Sequence, residues 1–281
     1  MPSLIFGHLN GLEYNTRQSI VNTDYPLVSI VTPAYNCADK IGDTINTVLQ
    51  QTYSNWELLI VDDCSKDDTT AVVDEWTKKD PRIKLFRQEK NGGASLARNR
   101  AITESSGKFI AFLDGDDMWL PEKLEKQIKF MMDNGFYFSY SPYYILNDGE
   151  TMDLSVLPIR SCPEMLDYRE LLKMNRIGCL TVVFDAEKVG KVTIPKLDKR
   201  NDYALWLKIL WGSGITAHRL NEPLAIYRSH QGISKGNKFG FLKYHFQLFN
   251  EVLGYSKFVS YLLTIRNVLY YMHYKKVDIS S

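Results

Sequence analysis

The stretch FIAFLDGDD, residues 109–117, decides the fold of this 281-residue chain. It begins with five apolar residues, which is typical of a strand buried in a sheet. An acidic run follows at once. Alternate side chains of an extended segment point the same way, so we expect Asp114 and Asp116 to face one ligand, with Gly115 leaving room beside the backbone. Two such carboxylates suit a hard divalent cation that also binds phosphate oxygens, and the alternative is a solvated acidic turn.

Outward from this stretch, apolar strand patterns alternate with helical ones. The spacing predicts strands at residues 27–31, 56–61 and 83–86 and helices at residues 41–49, around 72–76 and at 95–106. This alternation predicts an α/β fold with a mostly parallel central sheet and helices on both faces. Ligands of such sheets bind beyond the carboxyl ends of the strands, where both acidic runs, residues 62–63 and 114–117, are expected.

After Pro121 the regular alternation ends. The patterns there predict a helix through residues 124–131, a mixed region at 146–200 that includes a strand at 180–184, a helix at 202–212 and a last strand at 223–228.

Composition sets broad limits on function. The chain is 44% hydrophobic and 24% charged, which indicates a globular protein, and its net charge of +1 favours no nucleic-acid partner. Its four cysteines have neither disulfide-framework nor zinc-ligand spacing, so we expect buried free thiols in a reducing cytoplasm. The first residues lack the pattern of a signal peptide, and no run reaches the length of a membrane-spanning helix.

Two further loops carry candidate binding residues. Asp63 follows a predicted strand and can accept a hydrogen bond from a base imide N–H, which favours uracil; the loop can equally be a turn that caps the next helix. The segment Asn91–Ala94 places flexible backbone before a helix that carries Arg98, an arrangement that often binds phosphate. The alternative is an ordinary loop with a surface arginine.

Together, four segments resemble family 2 glycosyltransferases in order and spacing: residues 28–36, 60–65, 91–99 and 112–121. The resemblance is specific from about residue 26 to 124 and looser to about residue 234. It implies a GT-A fold with a Rossmann-like sheet, inversion at the anomeric carbon, and a nucleotide sugar, usually a UDP-sugar, bound with Mg²⁺ or Mn²⁺. The expected activity is hexosyl or N-acetylhexosaminyl transfer.

The resemblance also assigns roles to single residues. It implies that Pro33, Ala34 and Tyr35 line the base and that Asp63 is the uracil partner. Arg98 is expected to contact the base or the diphosphate. Asp114 corresponds to the aspartate near the ribose and metal, and Asp116, beyond Gly115, to the direct metal ligand.

For the catalytic base the resemblance points to Asp202, at the start of a predicted helix. Asn201 stands where the family usually has a glutamate, so a second carboxylate is missing beside the base. His230 belongs to a late segment that in some relatives closes over the diphosphate, which makes it a candidate metal ligand, with a surface histidine as the alternative. The Gln-x-x-Arg-Trp motif of processive synthases is not found, which favours the addition of a single sugar.

The expected organisation has four parts. These are a leader at 1–25, a nucleotide-sugar-binding half at 26–120, an acceptor-binding half at 121–235 and an amphipathic helical segment at 236–281. In the last part aromatic and aliphatic residues mix with lysines, so it is expected either to lie on an anionic membrane or to pack on the catalytic domain or a second subunit in a homo-oligomer.

Bacterial surface polysaccharide synthesis follows only by analogy from the resemblance. The acceptor is then a saccharide, lipid-linked if the terminal segment contacts a membrane, and the enzyme works in the cytoplasm, at the inner face of the cytoplasmic membrane in the lipid-linked case. Two other functions stay open. One is a sugar-nucleotidyltransferase, although Thr32–Asn36 lacks the expected glycine-rich basic loop, and the other is a nucleotide-sugar or glycan-binding module that has lost turnover.

Overall fold

The computed structural model describes residues 25–229, 238–274 and 279–280. All of the predicted leader except Tyr25 therefore lies outside the described residues, and so do His230 and the residues up to 237. Strands in the described part are β1 (Val28–Ala34), β2 (Trp56–Asp62), β3 (Ile83–Arg87), β4 (Phe109–Phe112), β5 (Met118–Trp119), β6 (Phe138–Tyr140), β7 (Tyr143–Asn147), β8 (Ile159–Arg160), β9 (Met165–Leu166), β10 (Val183–Asp185), β11 (Ala217–Arg219), β12 (Ala225–Ser229) and β13 (Ile279–Ser280).

The α-helices alternate with the early strands and continue to the end of the described chain. They are α1 (Ile41–Leu49), α2 (Thr69–Lys79), α3 (Ala94–Glu104), α4 (Lys123–Asn134), α5 (Tyr168–Leu171), α6 (Ala186–Val189), α7 (Asn201–Ser213), α8 (Lys238–Gln247) and α9 (Lys257–Tyr274). The helices and strands predicted before Pro121 agree with these within a few residues.

An eight-stranded sheet forms the centre, in the order β3-β2-β1-β4-β10-β6-β11-β9. The first four strands are parallel, and β10 joins β4 in the antiparallel sense. All seven residues of β2 are buried, because helices cover both faces of the sheet. Alternate residues enter separate apolar clusters: Leu59 and Val61 pack on the face of α3 and α7, whereas Leu58 and Ile60 pack on the face of α1 and α4. The α/β prediction is confirmed.

The chain after Pro121 completes this sheet and adds a second one. Strands β6, β9, β10 and β11 extend the central sheet, while β13-β8-β7-β12-β5 form a five-stranded sheet beside it. The strand predicted at 180–184 is partly wrong, because Cys179–Thr181 form a 3-10 turn and the strand begins at Val183. The turn is closed by the Thr181 hydroxyl, which donates to the Gly178 carbonyl at 2.7 Å, a local bond that an apolar pattern does not reveal.

The terminal helices pack against the core of the preceding chain. Leu248 and Phe249, in the π-helical turn Leu248–Val252, belong to the main core cluster. Asn267 donates to the Tyr203 hydroxyl at 3.0 Å, and the Arg266 guanidinium donates to the Leu172 carbonyl at 3.1 Å. Within the described ranges no helix combines the length and hydropathy needed to cross a membrane.

Candidate active site

A cleft of about 170 Å³ opens at the carboxyl ends of the parallel strands. Its lining includes every residue predicted to bind the nucleotide sugar: Pro33, Ala34, Tyr35, Asp63, Arg98, Asp114, Gly115 and Asp116. Ala94, the last residue of the predicted segment Asn91–Ala94, also lines it. Cys37 lines it too and was missed, since a lone cysteine does not signal binding. The parallel register explains the grouping, because Ala34 at the end of β1 pairs with Asp62 at the end of β2.

The acidic run is a turn, which corrects the expectation of an extended segment. The Asp117 amide donates to the Asp114 carbonyl at 3.1 Å, and the Gly115 amide donates to the Pro33 carbonyl at 3.2 Å. A Cβ atom on Gly115 would lie 3.2 Å from the Cys37 sulfur and 3.1 Å from Ile41 Cδ1. The space beside Gly115 is therefore taken by the loop after β1, and glycine lets the two loops meet. Asp114 and Asp116 nevertheless line the same cleft.

Two residues that the sequence did not single out hold this turn. The Thr44 hydroxyl lies 3.1 Å from the Gly115 carbonyl oxygen and 2.8 Å from that of Asp117. The Arg228 amide donates to the Asp117 carboxylate at 2.9 Å. Burial, together with the charges of Asp116 and Asp114, raises the pKa of Asp117 well above its usual value. Asp117 thus stabilises the turn, and the carboxylates of Asp114 and Asp116 concentrate negative charge beside it.

Arg98 is a buried residue with two partners at the cleft, so the surface-arginine alternative is wrong. Only 7% of its surface is exposed, and its guanidinium donates to the carboxylate of Asp114 and to the side-chain oxygen of Asn201. Burial alone would lower the pKa of Arg98, but the charges of Asp114 and Asp202 outweigh it and raise the pKa above its usual value. A fixed positive charge therefore lies between the acidic turn and the start of α7.

Asp63 holds the glycine loop. Its carboxylate accepts hydrogen bonds, each of 2.7 Å, from the Gly92 amide, the Gly93 amide and the Gln88 side chain. Gly93 has φ of 79°, a conformation that favours glycine, and it directly precedes α3. The carboxylate thus already has three donors, and its contact with uracil stays a prediction. The loop after β2 also caps the next helix, as the alternative had it: Asp67 accepts from the amide of Thr69, the first residue of α2, at 3.1 Å.

Asp202 lies in the first turn of α7, next to the cleft but outside its lining. The Asn175 side chain donates to Asp202 Oδ2 at 3.2 Å. Asn201, which replaces the usual glutamate, gives its side-chain oxygen to Arg98 instead. The structure therefore brings Asp202 beside the predicted donor residues, while its role as base stays a prediction. His230 lies outside the described residues.

The donor atoms present fit a divalent cation that is shared with a substrate. Within the described ranges no three histidine, cysteine or acidic side chains gather into a metal site. Mg²⁺, however, is often held by one or two carboxylates together with substrate phosphates. Asp114 and Asp116 supply such carboxylates at the cleft, and one oxygen of Asp114 already accepts from Arg98.

Comparison with known proteins agrees with this geometry. The family model described as "Glycosyl transferase family 2" matches residues 29–186. The putative teichuronic acid biosynthesis glycosyltransferase TuaG of Bacillus subtilis is 41% identical over 81% of this chain and 88% of its own length. WfgD of Escherichia coli, a UDP-Glc:α-D-GlcNAc-diphosphoundecaprenol β-1,3-glucosyltransferase, is 44% identical over 78% of this chain and 83% of its own length.

Solved structures share the fold at low sequence identity. Residues 1–349 of TarS from S. aureus, in complex with UDP-GlcNAc, superpose with a TM-score of 0.67 at 18% identity, covering 88% of this chain and 73% of that one. The mannosyltransferase PcManGT from Pyrobaculum calidifontis, in complex with GDP-Man and Mn²⁺, gives a TM-score of 0.59 at 15% identity, covering 88% and 75%. The predicted GT-A fold is confirmed. The family match covers more than half of the chain, and this protein is a member of glycosyl transferase family 2.

Proposed function

We propose that this glycosyltransferase inverts configuration as it moves one sugar from a UDP-sugar to a saccharide that is linked to a lipid through diphosphate. The observation that carries the proposal is the single cleft in which Asp114, Asp116 and Arg98 meet the loop after β1. A diphosphate needs compensating charge, and this cleft combines a buried cation with carboxylates that suit Mg²⁺ or Mn²⁺. The half-exposed ring of Tyr35 offers an aromatic surface for the base.

Asp202 acts in this proposal as the general base. Its carboxylate takes the proton of an acceptor hydroxyl while that oxygen attacks the anomeric carbon from the face opposite the diphosphate. The bond to the diphosphate oxygen breaks as the new bond forms, so configuration inverts. Asn175 orients Asp202 through one carboxylate oxygen, and Arg98 keeps Asp114 in position. A cation held by Asp114 and Asp116 would supply charge stabilisation of the departing diphosphate.

The acceptor class rests on relatives rather than on the cleft. WfgD is named for an acceptor linked to diphosphoundecaprenol, and TuaG for teichuronic acid biosynthesis. We extend both to this chain as a role in bacterial surface polysaccharide synthesis. Residues 26–120 then bind the donor and residues 121–235 the acceptor, at the inner face of the cytoplasmic membrane.

Helix α9 offers a surface for such a membrane contact. Its outer side exposes apolar residues at helical spacing: Phe258, Tyr261, Leu262, Ile265, Leu269 and Met272. Between residues 236 and 281 six basic residues stand against two acidic ones, which favours an anionic lipid surface over a second copy of the chain.

The catalytic proposal is tested with a panel of UDP-sugars, GDP-mannose as a control donor, and acceptors with and without diphosphate. We expect transfer that requires Mn²⁺ or Mg²⁺ and is abolished by EDTA. Pyrophosphate-dependent formation of nucleoside triphosphate would identify a nucleotidyltransferase. Donor binding with neither transfer nor hydrolysis would identify a binding module.

The membrane contact is tested by flotation of the full chain with vesicles of phosphatidylglycerol and phosphatidylcholine. Wild type is expected to float, and the triple variant Leu262→Gln, Ile265→Gln, Leu269→Gln to stay in solution. Val156→Gln, which changes an exposed apolar residue elsewhere, is the control. Equal flotation of wild type and triple variant, or a wild-type dimer that the triple variant abolishes, would contradict the proposal.

A further inference from the structure

A second cavity, of about 200 Å³, has in its wall Asn175, the residue whose side chain donates to Asp202. It shares no lining residue with the cleft. Its walls are Tyr143 on β7, Arg160 and Ser161 at β8, Tyr271 on α9 and the loop Met174–Gly178. No motif of the sequence pointed to it, because its walls come from four separate parts of the chain.

Two arginines give this cavity its chemistry. Arg160 and Arg176 both line it, and none of the lining residues in the described chain is acidic. Arg160 Nε is buried, and no group in the described residues accepts its hydrogen bond. A buried guanidinium N–H without an acceptor is costly, and an anion in the cavity would supply one. The Tyr143 hydroxyl stays a donor as well, because burial raises the pKa of Tyr143 to about 12.

The position of the cavity links it to the reaction. Asn175 lines the cavity and donates to Asp202 Oδ2, so one residue connects the cavity wall to the proposed base. Gly178, also in the wall, directly precedes Cys179, whose buried thiol feels the charges of Arg98, Asp114 and Asp202. Asp202 is thus linked through Asn175 to a cavity lined by arginines, and its charge also acts on Arg98 in the donor cleft.

We infer that this cavity binds the phosphate groups of the acceptor, with Arg160 and Arg176 as its anion-binding residues. The guanidinium fork suits phosphoryl oxygens, and Ser161, Asn175 and Tyr143 add neutral donors. The acceptor sugar then lies beside Asn175, with a hydroxyl towards Asp202. This assignment rests on the proposed function and adds the substrate class that the acceptor side recognises.

Helix α9 indicates that the phosphate belongs to an amphiphilic acceptor. Tyr271 forms part of the cavity wall, and Met272, the next residue of the same helix, is 64% exposed. A lipid attached to a phosphate in the cavity would therefore leave it next to an apolar surface.

Binding is measured first, by calorimetry with inorganic pyrophosphate in metal-free buffer containing saturating UDP. Wild type is expected to bind pyrophosphate, and Arg160→Gln and Arg176→Gln to weaken binding about 10-fold or more each. Arg169→Gln, at an exposed position on α5, makes the same change of charge outside the cavity and should match wild type. Thermal unfolding checks that each variant folds. Binding that is equal in all four proteins, or missing in wild type, would overturn the inference.

Kinetics then distinguish an acceptor phosphate from free phosphate. The two acceptors are N-acetylglucosamine linked to a short alkyl chain through diphosphate and the same sugar as a plain alkyl glycoside. We expect wild type to show a KM about 10-fold lower for the diphosphate acceptor, and the two cavity variants to lose this preference, which Arg169→Gln should retain. Equal KM values in wild type would reject the acceptor assignment but leave the transferase intact. Neither transfer nor hydrolysis of any donor would instead reject the proposed function, and the calorimetry would still test the cavity.

Discussion

The donor cleft and the arginine-lined cavity are built in different ways, although Asp202 lies next to both. Most of the donor cleft belongs to loops that directly follow β1, β2 and β4, and short hydrogen bonds tie these loops to one another. The second cavity has walls from two-residue and five-residue strands, a loop and a terminal helix. A proposed donor site built mostly from loops at one edge of the central sheet thus stands against a site assembled from distant segments, where acceptor specificity can vary.

We expect the largest loss of transfer activity from a change at Asp202, the residue next to both sites. Asp202→Asn keeps the size of the side chain but removes its ability to take a proton, so kcat should fall by about 10²- to 10⁴-fold while UDP binding stays near the wild-type value. Initial transfer rates and calorimetry measure the two quantities. Asp198→Asn, at an exposed position before α7, is the control. Near-normal turnover of Asp202→Asn would require another base.

Removing a carboxylate from the acidic turn should lower turnover and UDP binding but leave the second cavity unchanged. Asp116→Ala removes one carboxylate from the cleft, and we expect kcat to fall by about 10²- to 10³-fold, with weaker UDP binding in Mn²⁺. Asp133→Ala, an exposed acid paired with Lys129 on α4, should leave both quantities unchanged. Pyrophosphate binding in metal-free buffer should be the same in wild type and Asp116→Ala. If Asp116→Ala lost pyrophosphate binding together with UDP binding, the cleft and the cavity would be a single site.

Asn201 links the start of α7 to the donor cleft through Arg98, and its loss should cost stability. Its side-chain oxygen accepts from Arg98, so Asn201→Ala leaves a buried charged donor with one partner fewer. We expect the free energy of unfolding to fall by about 1–3 kcal/mol in urea titrations. Asn201→Asp keeps an acceptor at this position and should be close to wild type in stability. Equal losses in both variants would show that the bond to Arg98 contributes nothing measurable.

Apolar runs in the sequence were sufficient to predict the parallel part of the sheet, since a buried strand is local in sequence. Most members of the donor cleft were predicted by the resemblance to family 2 glycosyltransferases, which did not indicate Cys37. The shape of the acidic turn was not predictable, because it depends on Thr44, on Arg228 and on the loop after β1 meeting Gly115. Arg98 shows the same limit: it pairs with Asn201, 103 residues away, and no local pattern indicates such a contact.

The smallest effect is expected at the amino-terminal ends of the parallel strands, which lie opposite the donor cleft. Glu57, near the start of β2, is buried and accepts from Ser29 at 2.6 Å, from Lys84 at 2.8 Å and from the Ser106 amide at 2.8 Å. Burial alone would raise the pKa of Glu57, but these donors outweigh it and lower the pKa below its usual value. Glu57 therefore stabilises the fold at the sheet end opposite the donor cleft.

Because the pKa of Glu57 is lower in the folded state than in the unfolded state, its stabilising effect is present at neutral pH. The effect begins to disappear as the pH falls below about 4.3, the usual value for glutamate, and is gone below the folded-state pKa. We expect Glu57→Gln to lower the free energy of unfolding by about 1–2 kcal/mol at pH 7, and the gap to wild type to close towards pH 3. Urea titrations across this range measure the gap, and Glu89→Gln, at an exposed position after β3, should show none. Transfer kinetics at pH 7 should be unchanged in Glu57→Gln. A loss of activity without a loss of stability would show that Glu57 contributes to catalysis in the cleft, and the two ends of the sheet would then not differ in role.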